Sequence, residues 1–214
     1  MSAVPPLPLV AIYADESCLG NGREGDNPGA AGGVIEYRGS DRDPVTRRDF
    51  WLAEPATTNN RMALRSVIEA FRILALKNGR FQVVFTSDSQ YLIRGMSEWV
   101  AGWMARGWRR KGGPIENLSL WRNAVEQVGP HRVQWQWVRG HVGHVQNEYA
   151  NHLATRAARD QTTSGGAVAS GFDAWLAAER EAGRMHAAPA AFPDPNRFKP
   201  SPPLPAAAQA TLLD

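Results

Sequence analysis

Cysteine is nearly absent: Cys18 is the single one in 214 residues. No disulfide can form within the chain, which fits a reducing compartment. Long apolar runs are also missing, and none is of the length needed to span a bilayer. The opening MSAVPPLPLV has neither the charged start nor the long apolar centre of a secretory signal. A cytoplasmic protein with no membrane partner is therefore expected. Net charge is small, since 24 Lys and Arg stand against 21 Asp and Glu. Such a balance does not by itself assign a nucleic-acid partner, and where the basic residues sit says more.

What is present suits one ordinary domain with extra segments, at 43% hydrophobic residues. Residues 1–8 are Pro-rich and read as a flexible arm. Leu9 to Ala14 reads as a buried strand ending at Asp15. Gly20 to Gly33 is rich in Gly, Asn and Asp and reads as a loop. Val34–Tyr37 and Arg47–Ala53 complete a three-stranded meander. Thr58 or Asn59 can cap a helix to about Leu76, with Leu64, Val67, Ile68, Phe71 and Leu74 at helical spacing. Gln82–Thr86 is a strand leading to Asp88. Helical stretches follow around Tyr91–Gly95, Glu98–Arg106 and Asn117–Val128. VQWQWV (Val133–Val138) alternates as a strand does, and Gln146–Arg159 reads as an amphipathic helix. The expected fold class is α/β, a mixed five-stranded sheet whose first three strands are antiparallel, flanked by helices. The domain covers residues 9–160. A linker (161–170), a short helix (171–185) and a Pro- and Ala-rich disordered tail (186–214) are expected to follow it.

Five blocks stand in order along residues 9–159: Tyr13-Ala14-Asp15-Glu16-Ser17-Cys18-Leu19-Gly20-Asn21, Thr57-Thr58-Asn59-Asn60-Arg61-Met62-Ala63-Leu64, Ser87-Asp88-Ser89-Gln90-Tyr91, the Trp99–Trp108 segment with Trp121, and Trp135 through His144 with Asn147-Glu148. Together they resemble bacterial type 1 ribonuclease H. The resemblance implies a ribonuclease H-like fold. It also implies an endonuclease that hydrolyses the RNA strand of RNA–DNA hybrids with Mg²⁺ (Mn²⁺ as substitute), held by four acidic side chains.

Asp15 and Asp88 match two of those acids, at the ends of two strands. Where the family has Glu, this chain has Ala63, and where it has the last Asp, this chain has Asn151. An Asn oxygen can ligate a hard cation but brings no charge, so Asn151 is a candidate ligand. Glu16 stands where the family usually has Gly. On a regular strand it would face away from Asp15, whereas at a strand end or bulge it could swing into the site. His141, in a Gly-flanked loop, matches the family histidine that assists proton transfer or product release, and His144 shapes the loop or caps the helix.

Cys18, Asn21, Asn59, Asn60 and Gln90 match positions that touch sugar or phosphate groups, and Thr58 matches a phosphate-pocket residue on the DNA side. Amides and hydroxyls both donate and accept, which suits a 2′-OH. Trp99, Trp103, Arg109, Arg110 and Lys111 resemble the basic protrusion that grips the DNA strand, with some of the tryptophans in the core. An inserted stretch, Gly22 to Asp26, lengthens the loop after the first strand.

The sequence therefore supports a monomeric hybrid endonuclease, attenuated by two missing carboxylates. The alternative is a catalytically inactive hybrid-binding module. A third role, as a protein-contact scaffold, leaves the substrate-facing residues without a purpose.

Overall fold

Apolar alternation along β1 (Leu9–Cys18) sets the frame of the molecule, because both faces of this strand are covered. The computed structural model describes residues 7–20, 27–40, 42–140 and 142–204. β1 pairs antiparallel with β2 (Gly29–Tyr37), which pairs antiparallel with β3 (Thr46–Glu54). β4 (Gln82–Ser87) lies parallel to β1, and β5 (Arg132–Trp137) lies parallel to β4. A two-residue strand, β6 (Val168–Ala169), adds to the outer edge of β3, giving six strands in the order β5-β4-β1-β2-β3-β6. The mixed sheet follows the expectation, with this one short strand in addition.

The first face carries Val10, Ile12 and Ala14 from β1, Val83 and Phe85 from β4 and Val133 from β5. Helix α1 (Asn59–Ala75) packs there through Leu64, Val67, Ile68 and Phe71, and α4 (Leu118–Val128) through Trp121 and Val125. Each such large side chain contributes roughly 1.5–3 kcal/mol by leaving water. Thr58 starts α1 in extended backbone and its hydroxyl accepts from the Arg61 amide at 3.4 Å. Between α1 and α4, helix α2 (Gln90–Arg94) runs through one π-helical turn, Gly95–Trp99, into α3 (Val100–Ala105). The two helical stretches expected there are thus joined end to end.

On the second face, Ala11, Tyr13 and Val34 meet Val145, Tyr149 and Leu153 of helix α5 (Val145–Asp160). α5 lies so close to β2 that a Cβ on Gly32 would come within 2.6 Å of the Ala154 nitrogen and 2.8 Å of the Ala150 oxygen. The Gly- and Ala-rich start of β2 is therefore strand, not the loop its composition suggests. The small residues are there because a helix crosses them.

Beyond α5 the chain turns back over the domain. Ser164 donates its amide to the Trp51 carbonyl at 2.9 Å, within the segment expected as a linker. Helix α6 (Phe172–Glu181) then adds Phe172 and Leu176 to the second-face core. The buried Asp49 carboxylate accepts from the Tyr149 hydroxyl at 2.5 Å, the Ser170 hydroxyl at 2.6 Å and the Gly171 amide at 2.9 Å. Where composition suggests an unstructured tail from residue 186, the described part runs on to Leu204 in contact with the sheet. Ala187 and Phe192 pack against the second-face core, and Ser201 donates its amide to the Val133 carbonyl at 2.8 Å. Residues 205–214 lie outside the described residues. No described helix is long and apolar enough to cross a membrane.

Candidate active site

The site lies where two parallel strands end. β1 and β4 stay in register as far as Tyr13 opposite Thr86. Asp15 and Asp88 each stand two residues past that pair, at the carboxyl edge where open α/β sheets receive ligands.

Asp15 shares a face of β1 with Ala11 and Tyr13 and is 5% exposed. Its Oδ1 accepts from the Glu16 amide at 2.7 Å, and its Oδ2 accepts from Asn147 Nδ2 of α5 at 3.0 Å. Glu16 lies on the opposite face, in line with Ala14 and Cys18, as strand alternation requires. On that side Ala14 belongs to the cluster that holds Ala63, and Cys18 packs against the cluster that holds Met62. The first turns of α1 thus present a fully buried Ala63 beneath the stretch of β1 that carries Glu16.

Despite starting from opposite faces, the two side chains converge. Asp15, Glu16 and Asp88 each offer a carboxylate oxygen, and these oxygens lie within 4.8 Å of one another. Asp88 is held from its own backbone side, where its carbonyl accepts from Trp137 Nε1 at 3.0 Å. Gly140 passes so near the Asp88 carboxylate that a side chain on it would collide with Oδ2.

Electrostatically the cluster is under-neutralised. Burial, then the charge of Asp88, pushes the Asp15 carboxyl from 3.8 up to about 8. Burial, followed by the charges of Asp15 and Asp88, holds Glu16 well above the usual carboxylate range. Among the described residues, no lysine or arginine is among the groups that shift either one. Among them too, the Glu16 Oε2 and Asn147 Oδ1 atoms are buried without a hydrogen-bond partner. Three carboxyl groups this close cannot all ionise without a counter-charge. A hard divalent cation, which takes oxygen ligands, is the counter-charge that this donor set fits.

Asn147 reaches Asp15 from α5, although its residue type alone does not mark it as a site residue. Helical spacing was the available signal, because residues 147 and 151 share a face at i, i+4. Asn151, the expected ligand, is half-buried one turn on, and its Oδ1 accepts from the Thr155 hydroxyl at 3.4 Å. With Glu148 it lines a groove of about 720 Å³ between α5 and the α6 segment. His144 caps α5: its Nδ1 accepts from the Asn147 amide at 3.4 Å. Burial lowers its pKa, which favours the neutral ring that this acceptor role needs. His141 and Asn21 lie outside the described residues, as does the inserted 22–26 segment.

The expected substrate residues differ in exposure. Cys18 is half-buried two residues after Glu16, and Gln90 is exposed two residues after Asp88. Gly29 lies between Cys18 and Thr57, close enough that a Cβ there would touch both side chains, so the end of β1 adjoins the start of α1. Thr58 is exposed, while Asn59 and Asn60 are half-buried. The Asn59 Oδ1 is buried without a partner among the described residues. Farther along, Trp103 is 8% exposed and its ring meets Trp121 edge-on at 5.6 Å, a core position. Trp99 is half-buried beside Tyr91, and Arg109, Arg110 and Lys111 are exposed. Tyr91, Trp99, Trp103 and Arg110 also line a smaller cavity of about 280 Å³.

Comparison with known proteins converges on one family. The RNase H family model matches residues 8–159. Ribonuclease H of Aromatoleum aromaticum is 42% identical over 161 residues, covering 75% of this chain and 97% of that protein. Ribonuclease H of Pseudomonas putida is 41% identical over 148 residues, covering 69% and 91%. Among solved structures, LC9-RNase H1, a type 1 RNase H with the type 2 active-site motif, is 59% identical with a TM-score of 0.88. That match covers 97% of this chain and 98% of the other, so it takes in the segment beyond residue 159. The PFV RNase H domain, at 18% identity and a TM-score of 0.59 over 72% of this chain and 97% of that one, shares the fold.

Proposed function

The chain belongs to the ribonuclease H family, and from that premise we propose that Glu16 supplies the carboxylate that the family carries at the Ala63 position. The activity is hydrolysis of the RNA strand of RNA–DNA hybrids, and the family is divalent-metal dependent. Mg²⁺ is the proposed ion, with Mn²⁺ as substitute, and the working unit is a monomer.

The observation that carries this reading is the convergence of Asp15, Glu16 and Asp88 within 4.8 Å, with Glu16 hydrogen-bonded to the Ser89 side chain and its Oε2 buried without a partner among the described residues. A buried carboxylate oxygen without a partner is costly unless a cation meets it. Asp15, Glu16 and Asp88 would hold the metal, and Asn151 would add a neutral oxygen. When bound, divalent cations stabilise charge on the scissile phosphate and lower the pKa of the attacking water. The chain's own residues do the rest. Asn147 fixes the rotamer of Asp15 by donating to Oδ2. Trp137 ties down the backbone that carries Asp88. Cys18, Thr58, Asn59, Asn60 and Gln90 would pair with sugar and phosphate, contacts that position a duplex without reading its sequence. His141 moves the proton to or from the reacting oxygens. Trp99, Arg109, Arg110 and Lys111 hold the DNA strand farther out. Moving the second carboxylate from α1 to β1 keeps three negative groups at the site, so full activity does not require Ala63 to be Glu.

The test is cleavage of a hybrid with labelled RNA, in Mg²⁺ and then in Mn²⁺. Glu16→Gln and Asp88→Asn should each lower the rate by about 10²-fold or more while leaving hybrid binding intact. Tight hybrid binding by the wild type without cleavage in either metal would instead identify a catalytically inactive binding module.

A further inference from the structure

The fully buried Gln146 is the second residue of α5, next to the asparagine that holds Asp15. Its amide group is clamped from outside the domain core. Nε2 donates to the Ala190 carbonyl at 2.9 Å, and Oε1 accepts from the Ala190 amide at 3.0 Å. The pair imitates one rung of a β-ladder, with a side chain in place of a strand. Ala190 belongs to the strap that follows α6, beyond the 8–159 stretch that the family model matches.

The strap is fixed on both sides of this clamp. Before it, Met185 and Ala187 pack in the cluster that contains Tyr13, Val145 and Tyr149, and Arg180 Nη2 donates to the Ala187 carbonyl at 3.3 Å. Ala187 also lies against Gly143, in the loop that leads into α5. After it, the Lys199 amide donates to Gln134 Oε1 at 2.7 Å and the Ser201 amide donates to the Val133 carbonyl. Both anchors are on β5, across the sheet from β6. Behind Gln146 stands the buried Glu36, itself paired with Arg47 at 2.7 Å and eased by a hydrogen bond with the Gln146 side chain. The first turn of α5 is therefore gripped between β2 and the strap.

We propose that Gln146 is a positioning residue through which the C-terminal strap holds the first turn of α5, and with it Asn147, in register with Asp15. The strap is then part of the metal site without touching it. A side chain held by two part-buried hydrogen bonds to one backbone residue cannot shift independently of that backbone. Asn147 is the next residue, so any slack at Ala190 reaches Asp15 within one peptide unit. This inference rests on the metal-site reading above, yet it is tested separately from it.

The experiment uses the full chain and three variants: Gln146→Ala, Ala190→Pro, and a chain ending at Met185. Ala190→Pro removes one donor at an exposed position, so it keeps the test alive should Gln146→Ala fail to fold. Amide hydrogen exchange is measured on metal-free protein, and Mn²⁺ affinity by calorimetry. The amides of Glu148 to Asn151 should exchange about tenfold faster in the variants, with α1 unchanged. The Mn²⁺ dissociation constant should rise by about tenfold in parallel, a loss typical of outer partners of metal ligands. Folded variants in which both quantities stay within about twofold of the wild type would overturn the proposal, even if their melting temperature fell. Should the wild type bind no Mn²⁺, the metal reading fails, while the exchange data still decide whether the strap orders the turn.

Discussion

Asp15 and Glu16 are consecutive residues of β1 that approach one carboxylate cluster from opposite faces of the sheet. This works because the cluster sits past the last β1–β4 pair, where a side chain from either face can reach around the strand end. On the proposed reading, the element that supplies the group differs: α1 in the family pattern, β1 in this chain.

The relocation predicts reciprocal behaviour at residues 16 and 63. Glu16→Ala should abolish Mg²⁺-supported cleavage, and Glu16→Ala combined with Ala63→Glu should restore a substantial part of it. Ala63→Glu alone should destabilise the protein by about 1–3 kcal/mol from overpacking, with added cost from a fourth buried carboxylate. Denaturant unfolding and single-turnover cleavage on the four proteins measure both effects. Independent, additive losses in the double variant would show that the two positions do not share a role.

Much of this arrangement was legible in the sequence, and the exceptions have physical causes. Asp15 and Asp88 each follow an apolar strand and match two acids of the family that the sequence resembles, so the resemblance implied that they meet. Alternation correctly sent Glu16 to the other face, but it says nothing about a strand end where both faces converge. Asn147 was hidden inside a motif whose better-known member is Asn151. The strap was missed because its anchors are single backbone groups, such as Ala190 against Gln146 and Ser201 against Val133, which leave no periodic apolar pattern. β6 was missed for the same reason, being two residues long in a Gly- and Ser-rich stretch.

The contribution of Asp15 to the stability of the metal-free protein should fall as pH rises from about 4 to about 8, against the opposite slope of His131, His144 and His152, which burial holds below the usual histidine range. The Asp15 carboxyl moves from 3.8 to about 8 on folding. Within that window the folded chain keeps a proton that the unfolded chain releases, so the slope of this contribution against pH is negative. Glu16, also raised, acts in the same direction. In chelator, the stability difference between the wild type and Asp15→Asn should show this decline in thermal unfolding. The stabilisation gained from Mn²⁺ should grow over the same range, because the metal binds the deprotonated groups. A difference that grows in favour of the wild type as pH rises would contradict the raised Asp15 carboxyl.

Asp49 should be worth more than its place on β3 suggests. Its carboxylate gathers Tyr149 from α5 with Ser170 and Gly171 from the approach to α6. Asp49→Ala leaves the Tyr149 hydroxyl and a backbone amide without their acceptor, at a cost of about 2–4 kcal/mol in denaturant unfolding. Tyr149→Phe removes one bond of the three and should cost about 1 kcal/mol.

The basic segment and the tryptophans beside it should separate cleanly. Replacing Arg109, Arg110 and Lys111 with Ala should weaken hybrid binding and reduce the slope of log affinity against log salt by about two to three. Unfolding should scarcely change, since all three side chains are exposed. Trp103→Ala should instead destabilise the fold by about 3–5 kcal/mol, as loss of a buried ring against Trp121 requires.

The most direct test of the central claim is a crystal structure of the protein soaked in Mn²⁺, with anomalous data to locate the ion. The account predicts a peak among Asp15, Glu16 and Asp88, with a Glu16 oxygen at about 2.0–2.2 Å, a bond length of the kind these small divalent ions form with oxygen. An ion held by Asp15 and Asp88 while Glu16 points away from it would contradict the account.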